Sequence, residues 1–265
     1  MLVWSRAGVM GHVNSLVRAE QVRALYRVLG ETREILRTDT RARAKQHAIG
    51  GLCGIVGASI GAIIVDADHG PGRGGRLVEM NGHGFEGNDI LDMAGDYLKR
   101  GPLVDPALVT MRERTEDVVS LLREELVDDR GWFGSGFVSE TRKKARVGDA
   151  IYSKRRAGAH QIDGLCVNRP WGDRPFVAED RNLVQLFQVE ADWLYAANDG
   201  AAGPTLSRRE RETLTLLLAG ASEKEIARQL GLSPHTVHGY VKALYRRFGA
   251  NSRAQLLAHC LGGAR

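Results

Sequence analysis

The sequence predicts two domains of different class. The first is an α/β domain built on a central antiparallel sheet with flanking helices. The second is an all-α domain of four short helices. Three observations lead there. Hydrophobic periodicity mixes helical and strand patterns over the first three quarters of the chain and is purely helical afterwards. The segment from Asn198 to Thr205 is small, polar and helix-breaking, as domain linkers are. Charge is unevenly spread: from Thr205 onward there are ten Lys/Arg against four Asp/Glu, a net of +6, whereas the preceding part carries −1. The boundaries are residues 1–197, a linker over 198–205, and 206–265.

In chain order, apolar residues at helical spacing (Val17, Val22, Leu25, Val28, Leu29, Ile35, Leu36) predict a helical stretch from about Asn14 to His47. Ala58 to Asp66 reads as a buried strand. Arg76 to Met80 reads as its half-buried neighbour, across the Gly/Pro-rich turn of residues 70–75. Ile90, Leu91, Met93, Ala94, Tyr97 and Leu98 predict the next helix. An irregular middle follows. Two strands come next, near Asp149–Arg156 and His160–Asn168, paired through the turn Ala157, Gly158, Ala159. A closing helix runs from Ala178 to about Ala196. This succession is similar to GAF-type sensory domains, a likeness of fold with no compact motif behind it.

The C-terminal helices are marked at both ends. Ser207 with Glu210, Ser222 with Glu225, and Ser252 with Gln255 have capping-box spacing, while Ser233 followed by Pro234 reads as an N-cap with a first-turn proline. Gly220, Gly231 and Gly249 stand where the first three helices stop. The middle pair has the spacing of a helix-turn-helix. Ala227 is small where the helices approach, Gly231 sits in the turn, Leu232 lies beside it, and Val237 is buried on the second helix.

Leu206, Ser207, Arg209, Glu210, Gly220, Lys224 to Ala227, Leu230, Ser233, Thr236, Val237, Val241, Lys242, Phe248, Gly249 and Arg253 together resemble the LuxR-type helix-turn-helix over about 60 of the 265 residues. The resemblance implies that the third helix is the recognition helix and that the fourth contributes to dimerisation. It implies that Thr236, His238, Gly239 and Lys242 face DNA. The family often carries a long basic residue where His238 stands and a side chain where Gly239 stands, which shifts weight toward Lys242 and backbone contacts. Helix N-termini bind phosphate, so Ser222, Lys224, Ser233 and His235 complete the candidate DNA-binding set together with Arg246 on the exposed row.

Other chemistries find little support. No apolar run approaches the ~20 residues of a membrane span, and Arg6, Gly11, His12 and Asn14 interrupt any signal-peptide core; the expected location is the cytoplasm. Cys53, Cys166 and Cys260 are scattered, as small core residues in a reducing compartment are. Gly82, Gly84 and Gly87 spell GxGxxG, but the strand before them alternates in polarity, so a flexible turn is expected. Asp66 and Asp68 lack the later partners of a phosphoacceptor site. Trp132, Tyr152, Asp163 and Trp171 do not follow the family's acyl-lactone-binding pattern. Trp132, Phe133, Phe137 and Trp171 are expected mainly in packing. Arg142, Lys143, Lys144 and Arg146 are expected on a solvated face. No metal-ligand spacing, cofactor motif or nucleophile–base set is found, so the chain does not read as an enzyme.

The expected function is a bacterial-type transcription regulator that binds double-stranded DNA as a homodimer, controlled by a signal at its N-terminal domain. That signal is either a small molecule or a protein partner. In the second case the N-terminal domain binds no small molecule and serves as an oligomerisation or partner module, for example toward RNA polymerase.

Overall fold

The computed structural model describes residues 17–70, 73–157, 161–195, 206–218, 220–248, 250–253 and 255–256. The linker of residues 198–205 and Cys260 lie outside them. The N-terminal domain runs α1 (Ala19–Thr38), α2 (Arg41–Val56), β1 (Ile60–Gly70), β2 (Arg73–His83), α3 (Asn88–Arg100), α4 (Pro106–Glu113), β3 (Val118–Leu122), α5 (Arg123–Leu126), α6 (Asp129–Gly134), β4 (Val147–Arg156), β5 (Gln161–Pro170), α7 (Ala178–Glu190) and α8 (Asp192–Tyr195). The C-terminal domain contains α9 (Arg208–Leu218), α10 (Glu223–Leu230) and α11 (Pro234–Arg247).

The five strands form one antiparallel sheet in the order β2-β1-β5-β4-β3. Helices cover both faces, which is why β1 reads as a continuous apolar run. Ile63 and Val65 point to a core shared with α1, α2, α7 and α8, while Ile60 and Ala62 point to a second core shared with α3. On the first face, α2 lies so close to β1 that a Cβ on Gly61 would strike Cys53 Sγ and Ile49. Arg169, buried on β5, donates to the Val56 carbonyl (2.8 Å) and pairs with Asp180 (3.0 Å), tying the end of α2 to α7.

Several expectations change. The single helix of residues 14–47 is two helices. Asp39 is extended and Thr40 caps a new helix by accepting from the Arg43 N–H, so the chain reverses and α2 continues to Val56. The closing helix also breaks, at Ala191, into α7 and α8. The irregular middle holds β3, an edge strand whose Ser120 bonds Ser153 of β4 (2.7 Å), and three helices. Gly84 and Gly87, both at positive φ, make the expected strand-to-helix turn, and a Cβ on Gly84 would strike the Ser59 carbonyl.

The basic run is corrected more sharply. Arg142 is buried, not solvated. Residues Phe137–Arg142 form a π-helical turn. In an α-helix, residues five apart point about 140° away from one another; the wider π turn brings Phe137 and Arg142 toward one side, and both face the interior.

Candidate nucleic-acid interface and a buried cavity

The three C-terminal helices start where the capping spacings place them. Ser207 N–H donates to Glu210 Oε2 (2.7 Å) and Glu210 N–H to Ser207 Oγ (3.2 Å). Ser222 N–H donates to Glu225 Oε2 (2.8 Å) and Glu225 N–H to Ser222 Oγ (3.4 Å). Thr236 N–H donates to Ser233 Oγ (3.1 Å), with Pro234 at the first helical position. Gly231 closes α10 in the left-handed conformation (φ 65°). The expected fourth helix is described only in its first turn, where Gln255 N–H meets Ser252 Oγ (3.2 Å). Ile226, Ala227, Val237, Val241, Leu217 and Leu256 make the apolar interior on which the helix pair is set.

That packing decides what α11 shows to the outside. With Val237, Val241 and Leu244 buried, the opposite stripe carries His235, Thr236, His238, Gly239, Lys242 and Arg246, all exposed. Ser222, Lys224 and Ser233 are exposed beside it at the N-terminal ends of α10 and α11. The candidate residues are thus all exposed, on the outer stripe of α11 and at the N-terminal ends of α10 and α11. Two details refine this placement. Gly239 has nothing within 4 Å of where a Cβ would stand, so the stripe is open to backbone approach at that point. His238 Nδ1 lies 3.1 and 3.3 Å from the two carboxylate oxygens of Glu223, the first residue of α10. Sequence reading did not connect these two residues, since they are fifteen apart.

The second face of the N-terminal sheet encloses a cavity of about 190 Å³. Its walls are apolar, with Ile60, Ile64, Met80, Phe85, Met93 and Phe137 among them. Two polar regions interrupt them. In one, Tyr152 donates to Asp105 Oδ2 (2.7 Å), Arg142 lies 3.6 Å from that carboxylate, and Arg142 also donates to Asn168 Oδ1 (2.8 Å). Asp105 caps α4 through the Ala107 N–H (3.0 Å). Burial pushes the Asp105 carboxyl upward, opposed by Arg142 and by the Tyr152 hydrogen bond; Tyr152 is pushed well up, again chiefly by burial. In the other region Lys154, buried on β4, donates to the Arg114 carbonyl beyond the end of α4, and Arg112 lines the wall.

Of the aromatic residues singled out, Phe137 lines the cavity and Trp132 is buried beneath Arg142, whose guanidinium sits 4.9 Å from the ring centre. Phe133 is half exposed and packs edge-on against Trp171. Asp163 is on the opposite sheet face, paired with Arg155 (2.8 Å). The cavity itself was not legible in the sequence. Its polar residues come from α4, the π turn, β4 and β5, and no local spacing relates them. Cys53 is buried, and its thiol is pushed up to about 12 by burial, then by Cys166.

Residues 204–260 match the family model described as bacterial regulatory proteins, luxR family. They also align with the spore germination protein GerE of Bacillus subtilis, at 34% identity over 58 residues, 22% of this chain and 78% of that protein. Through this domain the chain belongs to the luxR family. Among other relatives, YhjB of Escherichia coli (strain K12), named as a putative HTH-type transcriptional regulator, is 49% identical over 51 residues, 19% of this chain. The alignment spans about a quarter (26%) of YhjB. Among solved structures, Escherichia coli SdiA superposes with a TM-score of 0.44 at 16% identity over 89% of this chain and 98% of that one. The VqsR LBD domain of Pseudomonas aeruginosa gives 0.47 at 16% identity over 64% of this chain and 92% of that one. Both superpositions are loose. The luxR-family match thus accounts for the C-terminal domain, and the N-terminal domain has to be read from its own residues. Among the described residues, no helix is long and apolar enough to cross a membrane.

Proposed function

We propose that the protein binds double-stranded DNA as a homodimer, with α11 in the major groove, under the control of a small molecule held in the N-terminal cavity. The observation that carries the DNA reading is the exposed stripe of α11. Lys242 and Arg246 stand on it one turn apart, beside the open backbone at Gly239 and the capped N-termini of α10 and α11, which present N–H groups to phosphate. A single recognition helix reaches few bases, and two-fold pairing doubles the site.

Control by the N-terminal domain is supported by a shared helix. Met93, Ala94 and Tyr97 of α3 form one wall of the cavity, and α3 also touches α9. Leu218, at the end of α9, packs both on the cavity-side core and on the C-terminal core. A ligand that moves α3 would change how α9 is held, and with it the population of dimers able to span two half-sites. A sheet with helices on both faces also suits the GAF-like sensory reading, and a bacterial-type DNA-binding role supports a cytoplasmic location.

The test is selection of bound sequences from a random duplex library by the full chain, followed by titration of the selected site with the full chain and with Lys242→Ala. An enriched two-fold-symmetric site whose affinity falls in the variant supports the reading. Selection of no sequence, or of a site bound equally by both proteins, would sink it.

A further inference from the structure

The cavity is more specific than its apolar walls suggest. Its lining carries three cations, Arg112, Arg142 and Lys154, and one carboxylate, Asp105. Asp105 lies 3.6 Å from Arg142, and Arg142 is also held by Asn168 and the Gly148 carbonyl, so that region is close to charge balance. Lys154 is different. Lys154 is only 8% exposed, and the partner seen for its ammonium is a neutral carbonyl, that of Arg114. The acids nearby are engaged elsewhere: Glu116 with Arg114 (3.5 Å) and Asp117 with Arg156 (3.7 Å). Burial lowers the affinity of Lys154 for its proton. Glu116 opposes this, and the charges of Arg156, Arg114 and Arg112 add to it. A buried cation among other cations is costly unless an anion meets it.

The geometry points to an apolar carboxylate as the ligand of this cavity, its tail among Met80, Phe85, Met93 and Phe137 and its head on Lys154. This rests on reading the cavity as a ligand site, as proposed above. An ammonium has three donors, so Lys154 can keep the Arg114 carbonyl and still donate to a carboxylate. A cavity of ~150 Å³ lined by apolar residues accepts benzene; at about 190 Å³ this one suits a molecule of medium-chain size. A small monoanion matches the limited polar lining better than a phosphate, whose extra charge and oxygens would need further donors.

Octanoate and octanamide separate head charge from tail, because they have the same number of heavy atoms. Binding of each to the full-length protein is measured by isothermal titration calorimetry. Octanoate is expected to bind at least tenfold more tightly than octanamide, and Lys154→Met is expected to abolish the difference while circular dichroism shows the fold intact. If Lys154→Met does not fold, the contrast between the two ligands on the unaltered protein still decides. Equal dissociation constants would overturn the anion assignment and leave the cavity as a site for neutral molecules. Absence of binding by either, at millimolar concentration, would overturn both this inference and the reading of the cavity as a ligand site.

Discussion

The two domains place their charges in opposite ways. In the C-terminal domain the interior of the helix pair is apolar, and the cations Lys242 and Arg246 lie outside it on α11. In the N-terminal domain Lys45, Arg142, Lys154 and Arg169 are buried, each against a carboxylate or a carbonyl. Exposed cations cost the fold little, and they attract a polyanion in proportion to their number. Buried ones are out of reach of such a surface; they fix the arrangement around them and become costly if a partner is lost. One domain thus turns its cations outward, and the other folds them into its interior.

The largest expected effect tests the buried half. Asp105→Ala leaves the Arg142 guanidinium buried without its carboxylate and removes the cap of α4, so thermal or urea unfolding should show a loss of about 3–5 kcal/mol. Asp105 is pushed upward by burial in spite of Arg142, so the pair is no great stabiliser relative to solvated groups; the penalty comes from breaking it. A loss under ~1 kcal/mol would mean that water reaches Arg142 and that the contrast between the domains is overstated.

The exposed half is tested next. Lys242→Ala should weaken DNA binding by about 1–3 kcal/mol in a gel-shift titration at fixed salt, with unfolding unchanged. A variant that unfolds more easily would show Lys242 to be part of the fold. Ser233→Ala removes the oxygen that accepts from the Thr236 N–H and should cost ~1 kcal/mol of stability by thermal denaturation. No change would mean that Pro234 alone sets the start of α11.

Gly239→Ala puts a methyl group into open space in mid-helix, and should stabilise the domain by about 0.5–1 kcal/mol. If DNA binding falls while stability rises, the backbone at Gly239 approaches the duplex; if both rise, the glycine has no such role. The smallest effect concerns the Glu223–His238 contact. Both side chains are partly exposed, so Glu223→Gln should strengthen DNA binding by only a few tenths of a kcal/mol, by removing a negative charge and freeing the imidazole. The double variant Glu223→Gln, His238→Ala should lose part of the gain; a gain that persists in full would assign it to the carboxylate alone.

How much was legible follows the same division. Ser207, Ser222 and Ser233 each act on a backbone N–H three residues away, and Gly231 stops its own helix. Such contacts leave their spacing in the chain, so the helix starts and the exposed stripe of α11 could be read in advance. The strands β1, β4 and β5 were found to within a few residues, because burial on one or both faces leaves a period-two or continuous apolar pattern. The break at Asp39 was missed because no Gly or Pro marks it, and β3 was missed because five residues at a sheet edge carry too little pattern.

The sequence by itself determined that a basic helical domain follows a near-neutral α/β one, where each C-terminal helix begins, and which side of α11 is free. Each of these depends on residues within a few positions of one another. Only the tertiary structure decided that Arg142 turns inward, that Asp105, Tyr152 and Lys154 meet around one cavity, and that Leu218 joins the two cores. Those contacts link positions tens of residues apart. Their energies depend on burial and on what the rest of the chain brings alongside, and neither leaves a local mark.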